Sequence, residues 1–161
     1  MQAEIMRTAA TLLDRLRAKD LRLVTAESCT GGLIAAALTE IRGSSDVFER
    51  GFVTYSNLAK SDLLGVPEAV IARHGAVSRE VALLMAKGAL TRSPADLAVA
   101  VTGVAGPGGG SAEKPVGLVH VAAARKGGQS RHRECRFGDV GREAIRLNSV
   151  AAAFALIGEL L

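Results

Sequence analysis

The chain has 161 residues, of which 48% are hydrophobic and only 3% aromatic, and it carries a net charge of +4. A chain of this length can fold as one domain over residues 1–161, and its composition predicts a core of small aliphatic side chains. One tyrosine and four phenylalanines offer few stacking surfaces for bases, so the positive charge favours a small anionic substrate over nucleic acid.

The cysteines and the N-terminal segment argue against other classes of protein. Cys29 and Cys135 are the only cysteines, and their spacing fits neither a disulfide framework nor a structural metal site. Charged residues interrupt the first segment before any apolar run becomes long enough for a signal peptide or membrane span. We therefore expect a cytoplasmic protein that uses no membrane and no metal, and whose homo-oligomerisation the sequence leaves open.

Hydrophobic periodicity divides the chain into alternating helices and strands. In chain order we predict a helix over 3–18, a strand over 21–26, a helix over 33–38, a strand over 51–55, helices over 57–64 and after Pro67, a helix over 79–90 capped by Ser78, strands over 96–102 and 116–123, a turn at 125–129 into a basic, solvated edge strand, and a helix over 143–160. This order predicts a three-layer α/β/α sandwich around a mixed, mostly parallel sheet of about five strands.

Three segments that could carry chemistry follow predicted strands. They are the turn 27–32 around Ser28, the segment 55–57 with nearby Lys60, and the glycine-rich loop 102–110. Ligands of open α/β sheets bind at the edge where such segments meet, so we expect a site there.

Ser28 has two competing interpretations. A serine that precedes a helix most often caps it through its hydroxyl. At the same position, however, the hydroxyl is presented at the sheet edge, and the amides that follow can stabilise an oxyanion, which suits acyl transfer.

A serine nucleophile needs a base, and the three histidines are poorly placed for that role. His120 falls within a strand, His132 on the edge strand and His74 in a turn, so a Ser-His-Asp triad is not supported. Lys60 could act as the base if burial or a nearby positive charge lowered its pKa, although a lysine on a helix is more often a surface residue.

The glycine-rich loop matches neither the Walker nor the Rossmann fingerprint. Its backbone amides could still approach an anionic group closely, or the loop could be a flexible surface segment. Arg142 and Arg146 lie four residues apart near the start of the last predicted helix, where they could bind a phosphate or remain solvated.

The motifs in combination resemble a known family. The segments Thr25-Ala26-Glu27-Ser28-Cys29-Thr30-Gly31-Gly32, Val53-Thr54-Tyr55-Ser56-Asn57 with Lys60, Gly75-Ala76-Val77-Ser78, and Thr102-Gly103-Val104-Ala105-Gly106-Pro107-Gly108-Gly109 are similar to the C-terminal domain family of the competence/damage-inducible protein CinA. The resemblance implies a nicotinamide-nucleotide amidohydrolase of pyridine-nucleotide salvage, which converts nicotinamide mononucleotide to nicotinate mononucleotide and ammonia without a cofactor.

The resemblance also implies roles for individual residues. Ser28 would be the nucleophile and Lys60 its base, with Tyr55 close by. Substrate would be bound by two groups of residues, Glu27, Cys29, Thr30 and Gly31 in the turn and Thr102, Gly103, Gly106, Gly108 and Gly109 in the loop. Arg142 is a candidate for the phosphate, although the stretch 138–142 is longer than the family's Gly-Asp-Arg pattern. The chain lacks the N-terminal domain of longer family members, so it resembles their stand-alone form.

Three alternatives remain open from the sequence. Cys29 could be the nucleophile, because a thiol at a helix start is more reactive than a hydroxyl, although a small buried filler is its ordinary role. The domain could bind nucleotides for regulation without turnover. It could also be an interaction module that uses the basic edge strand.

Overall fold

The computed structural model describes residues 1–161, and its centre is one mixed sheet in the strand order β2-β1-β3-β4-β5. The strands are β1 (Leu23–Glu27), β2 (Phe48–Val53), β3 (Leu97–Gly103), β4 (Leu118–Arg125) and β5 (Ser130–Arg136). β1 pairs in parallel with β2 and β3, whereas β4 is antiparallel to β3 and β5.

Helices cover both faces of this sheet. They are α1 (Ala3–Ala18), α2 (Leu33–Thr39), α3 (Asn57–Leu64), α4 (Glu68–His74), α5 (Arg79–Thr91) and α6 (Arg142–Gly158). One apolar cluster joins α1, α2 and α6 to the sheet, and a second joins α3, α4 and α5 to its opposite face. The predicted three-layer α/β/α sandwich is therefore confirmed. No helix is both long and apolar enough to span a membrane.

The strands follow the predicted order, but the boundaries of β2 were predicted wrongly. The strand begins at Phe48 and ends at Val53, whereas the sequence indicated 51–55. The residues missed at its start include the charged Glu49 and Arg50. β2 is an edge strand and leaves Arg50 exposed. An edge strand tolerates charged residues because one side of it faces solvent.

The helix that carries Lys60 packs unusually close to its neighbour. A Cβ atom added to Gly88 in α5 would lie 1.9 Å from the carbonyl oxygen of Leu64, the last residue of α3. Only glycine permits this approach, since any side chain would collide with backbone. The contact fixes α3 against α5.

Side-chain caps set where the helices of this face begin. The Ser56 hydroxyl accepts a hydrogen bond of 3.0 Å from the Ala59 amide at the start of α3. The Ser78 hydroxyl accepts one of 3.2 Å from the Val81 amide at the start of α5, so the predicted Ser78 cap is confirmed. The Ser56 cap places Lys60 at the end of the first turn of α3.

Candidate active site

The three segments predicted to carry chemistry do meet at one edge of the sheet. Glu27 at the end of β1 lies in register with Val53 of β2 and Val101 of β3. The segments that follow these strands therefore leave the sheet side by side, at the carboxyl ends of the parallel strands.

Ser28 and Lys60 are in direct contact at this edge. The Lys60 Nζ atom lies 3.0 Å from the Ser28 Oγ atom, 3.0 Å from the Thr54 carbonyl oxygen and 3.4 Å from the Tyr55 carbonyl oxygen. Lys60 is 1% exposed and Ser28 is 8% exposed. The contact joins residues 32 positions apart, so the tertiary fold creates it.

The surroundings of Lys60 favour its neutral form. Burial lowers the pKa of its ammonium below the ordinary value of 10.5, because a low-dielectric environment disfavours charge. No carboxylate lies within salt-bridge distance of its Nζ atom. A neutral amine can donate to the two carbonyl oxygens and accept from the Ser28 hydroxyl.

Cys29 is a weaker candidate for the nucleophile. Its side chain is 6% exposed, and burial raises the pKa of its thiol to about 11. At neutral pH the thiol is therefore protonated, and a thiol reacts much more slowly than a thiolate. The environment of Cys29 matches that of a buried filler.

The turn after Ser28 does not use the serine as a helix cap. Gly32 is the N-cap residue of α2, and the helix amides are satisfied by Glu27. The Glu27 carboxylate accepts hydrogen bonds of 2.8 Å from the Ile34 amide and 3.0 Å from the Ala35 amide. The Ser28 hydroxyl is thus left to bond with Lys60.

We expect Glu27→Ala to destabilise the fold by about 2–4 kcal/mol. The change removes the acceptor of two helix amides and leaves an empty space where the buried side chain was. Glu27 is 1% exposed, so water cannot replace the carboxylate fully. Urea denaturation measures the change. Glu40→Ala, an exposed change at the other end of α2, is the matched control, and equal stability of the two variants would contradict the assignment of Glu27 as the cap.

The glycine-rich loop and two other elements are joined by Arg142. Its Nη1 atom donates to the Gly106 carbonyl oxygen at 2.7 Å, and its Nη2 atom donates to the Tyr55 hydroxyl at 2.9 Å. Tyr55 is 61% exposed. Arg142 begins α6, so this side chain connects α6, the loop after β3 and the segment after β2 at the rim of the site.

The remaining predicted residues of the loop take different positions. The Thr102 hydroxyl donates to the Ala76 carbonyl oxygen at 2.9 Å, which attaches the end of β3 to the segment before α5. Gly103 ends β3 and Gly106 is buried. Gly108 and Gly109 are exposed, and a Cβ atom added to either would have no neighbour within 4 Å, so they lie at the open tip.

The Arg146 side chain is hydrogen-bonded to the turn that carries Ser28. Its Nε atom donates to the Cys29 carbonyl oxygen at 3.2 Å, and its Nη2 atom donates to the Thr30 carbonyl oxygen at 3.0 Å. The spacing of four from Arg142 placed both arginines on one helix face. Nothing in the sequence indicated that Arg146 would bind backbone 116 and 117 positions earlier.

No histidine is hydrogen-bonded to the Ser28 hydroxyl. The His120 Nδ1 atom is 2.8 Å from the His132 Nε2 atom, and the only side chain hydrogen-bonded to the Ser28 hydroxyl is Lys60. No three His, Cys, Asp or Glu side chains are grouped so that they could hold a metal ion.

Comparisons with known proteins identify the family. The family model described as the CinA C-terminal domain matches residues 6–161. The nicotinamide-nucleotide amidohydrolase PncC of Escherichia coli K12 is 49% identical over 152 residues, which are 94% of this chain and 91% of that protein. A CinA-like protein of Akkermansia muciniphila is 60% identical over 116 residues, which are 72% of this chain but only 28% of that longer protein.

A solved structure extends the likeness to the whole fold. The crystal structure of the competence/damage inducible protein CihA from Agrobacterium tumefaciens superposes with a TM-score of 0.98 at 55% identity, and the match covers 99% of this chain and 97% of that one. With the family model matching nearly the entire sequence, the chain belongs to the CinA C-terminal domain family.

Proposed function

We propose that residues 1–161 form a single nicotinamide-nucleotide amidohydrolase domain, which hydrolyses the carboxamide of nicotinamide mononucleotide to nicotinate mononucleotide and ammonia. The observation that carries the proposal is the buried contact of 3.0 Å between the Lys60 amine and the Ser28 hydroxyl. The name of the PncC relative, which matches over nearly its full length, supports the choice of substrate.

In the first half of the reaction, neutral Lys60 takes the proton of the Ser28 hydroxyl as its Oγ atom attacks the carboxamide carbon. The tetrahedral intermediate bears an oxyanion, which amides of the Ser28 turn and of the glycine-rich loop stabilise. The carbon–nitrogen bond then breaks, and Lys60 returns its proton to the leaving nitrogen. Ammonia departs and an ester on Ser28 remains.

In the second half, water attacks the ester carbonyl and gives a proton to Lys60. Collapse of the second intermediate breaks the bond to the Ser28 oxygen, which recovers a proton from Lys60. The carboxylic acid formed in this way loses its proton to ammonia or solvent, and nicotinate mononucleotide is released as the carboxylate. Ser28 and Lys60 return to their starting states, and water is the only reactant besides the nucleotide.

The rim of the site suits an anionic nucleotide. The guanidinium of Arg142 holds Tyr55 and Gly106 together, and its remaining donors suit a phosphate group. The amides of Gly108 and Gly109 lie in the exposed tip of the same loop, where backbone can approach an anion closely. We assign the substrate phosphate to this rim. The two cysteines are both free, which supports the cytoplasm as the compartment.

The proposal is tested by incubating the purified protein with nicotinamide mononucleotide and measuring ammonia and nicotinate mononucleotide. We expect equimolar formation of the two products. Binding of the nucleotide in calorimetry without ammonia release would overturn the enzymatic assignment in favour of a regulatory binding domain. No binding at all would overturn both interpretations.

A further inference from the structure

Two carbonyl groups that follow the proposed nucleophile are held by one side chain. Arg146 donates to the Cys29 carbonyl oxygen at 3.2 Å and to the Thr30 carbonyl oxygen at 3.0 Å. A guanidinium presents its N–H groups in a rigid planar fork, so this double contact fixes both peptide groups relative to α6. Lysine could not reproduce it, because all the donors of its ammonium lie on one nitrogen at the end of a flexible chain.

The direction of a carbonyl also fixes the direction of the next amide. In a trans peptide the C=O and N–H bonds are coplanar and point in opposite directions. Holding the Cys29 oxygen toward Arg146 therefore turns the Thr30 N–H away from Arg146. The same turn is closed by a hydrogen bond of 3.0 Å from the Gly31 amide to the Ser28 carbonyl oxygen. This bond holds the Ser28 oxygen toward the turn, so the Cys29 N–H points out of the turn.

Polar groups of this turn are left without partners. The amides of Cys29 and Thr30 donate to no backbone carbonyl, and the Thr30 hydroxyl is buried without a hydrogen-bond partner. Thr30 is 0% exposed, which closes its amide to substrate, whereas Cys29 is 6% exposed. Unpaired buried groups cost folding free energy, and where they persist beside reactive residues they indicate a function.

From these contacts, and resting on the proposed function, we propose that Arg146 is a positioning residue for the oxyanion site. By holding the Cys29 and Thr30 carbonyl groups, it fixes the turn from which the free Cys29 amide donates to the oxygen that becomes negative when Ser28 attacks the carboxamide. Arg146 touches neither substrate nor the reacting atoms.

The inference is tested by steady-state kinetics of Arg146→Ala and Arg146→Lys with nicotinamide mononucleotide. Removal of one oxyanion donor costs about 100- to 1000-fold in kcat. Because Arg146 aims a donor that stays in place, we expect kcat to fall about 10- to 100-fold in Arg146→Ala. KM should change by less than about threefold, since uniform substrate binding is unaffected. Arg146→Lys should recover only a small part of kcat.

Chemical rescue distinguishes this role from a general structural one. Arg146 lines an open cleft of about 360 Å³ with Leu33, Glu143 and Leu147 among its other residues, so a small guanidinium ion can reach the space left by Arg146→Ala. We expect ethylguanidinium at non-denaturing concentration to raise kcat of Arg146→Ala and to leave the wild type unchanged. Arg15→Ala is the matched control, because Arg15 also donates to a backbone carbonyl oxygen, that of Gly158, but far from Ser28.

Each contrary result has a distinct meaning. A raised KM with unchanged kcat would overturn the inference by making Arg146 a substrate-binding residue. A loss of kcat that follows the unfolded fraction measured by circular dichroism, without rescue, would overturn it by making Arg146 structural. Wild-type protein without ammonia release would defeat the proposed function itself, whereas wild-type turnover with full kcat in Arg146→Ala would defeat only this inference.

Discussion

Ser28→Ala is expected to lower kcat/KM for nicotinamide mononucleotide by at least about 1000-fold, because the variant has no group to form the ester. Ser28 is 8% exposed, and its hydroxyl bonds only to the Lys60 amine. Removal of the hydroxyl therefore leaves the backbone of the turn unchanged. Calorimetry should show that the variant still binds the nucleotide.

The matched control for this change is Cys29→Ala, which alters the next residue and removes the competing nucleophile. We expect its activity to stay within about threefold of the wild type, since its thiol is buried and its pKa is raised to about 11. Acid quench during a single turnover, followed by mass spectrometry, should locate the acyl group on Ser28. Activity that survives Ser28→Ala but not Cys29→Ala would assign the nucleophile to Cys29 instead.

Lys60→Met is expected to lower kcat by about 100- to 10,000-fold, the usual contribution of a positioned base. Methionine fills much of the same space without an amine, so the variant should fold. Lys87→Met, an exposed change in α5, is the matched control and should keep full activity. Equal kcat values for the two variants would exclude Lys60 as the base.

The wild-type pH profile gives an independent check on Lys60. Burial places the pKa of Lys60 below its ordinary value of 10.5, and only the neutral amine can accept the Ser28 proton. We therefore expect kcat/KM to rise with pH until it passes the lowered pKa and then to level off. Values of kcat/KM that do not change with pH in the range below the lowered pKa would contradict the requirement for a neutral amine.

The same shift in pKa changes stability with a definite sign. Between the lowered pKa of the folded protein and the ordinary value of 10.5, the unfolded chain binds more protons at Lys60 than the folded chain does. The contribution of Lys60 to the free energy of unfolding of the wild type therefore increases as pH rises through this interval. Relative to Lys60→Met, the wild type should therefore become more stable as pH rises from about 7 to about 10. Urea denaturation of both proteins at each pH measures this difference.

Periodicity and turn residues were sufficient to predict most of the fold. The helices over 3–18 and 57–64 were predicted with their observed boundaries, because their apolar spacing and end signals are local. The order of helices and strands predicted the layered sandwich for the same reason. The start of β2 was missed, because whether Glu49 and Arg50 can lie in a strand depends on its place at the sheet edge.

Residue types and their positions after strands were also enough to select Ser28, Lys60 and the glycine-rich loop as candidates. The sequence could not determine whether Ser28 caps a helix or whether Lys60 is exposed, since both depend on distant neighbours. The carboxylate of Glu27 occupies the helix amides, which leaves the Ser28 hydroxyl available. The Lys60 amine is buried against Ser28 and the Thr54 carbonyl oxygen, which follow β1 and β2.

The sequence by itself thus determined the elements, their order and the chemical groups available at the edge of the sheet, because those follow from patterns along the chain. Only the tertiary structure decided which groups meet. The contacts of Lys60 with Ser28, of Arg142 with Tyr55 and of Arg146 with Thr30 join residues 32, 87 and 116 positions apart. Burial, which lowers the pKa of Lys60, exists only once those distant segments have packed together.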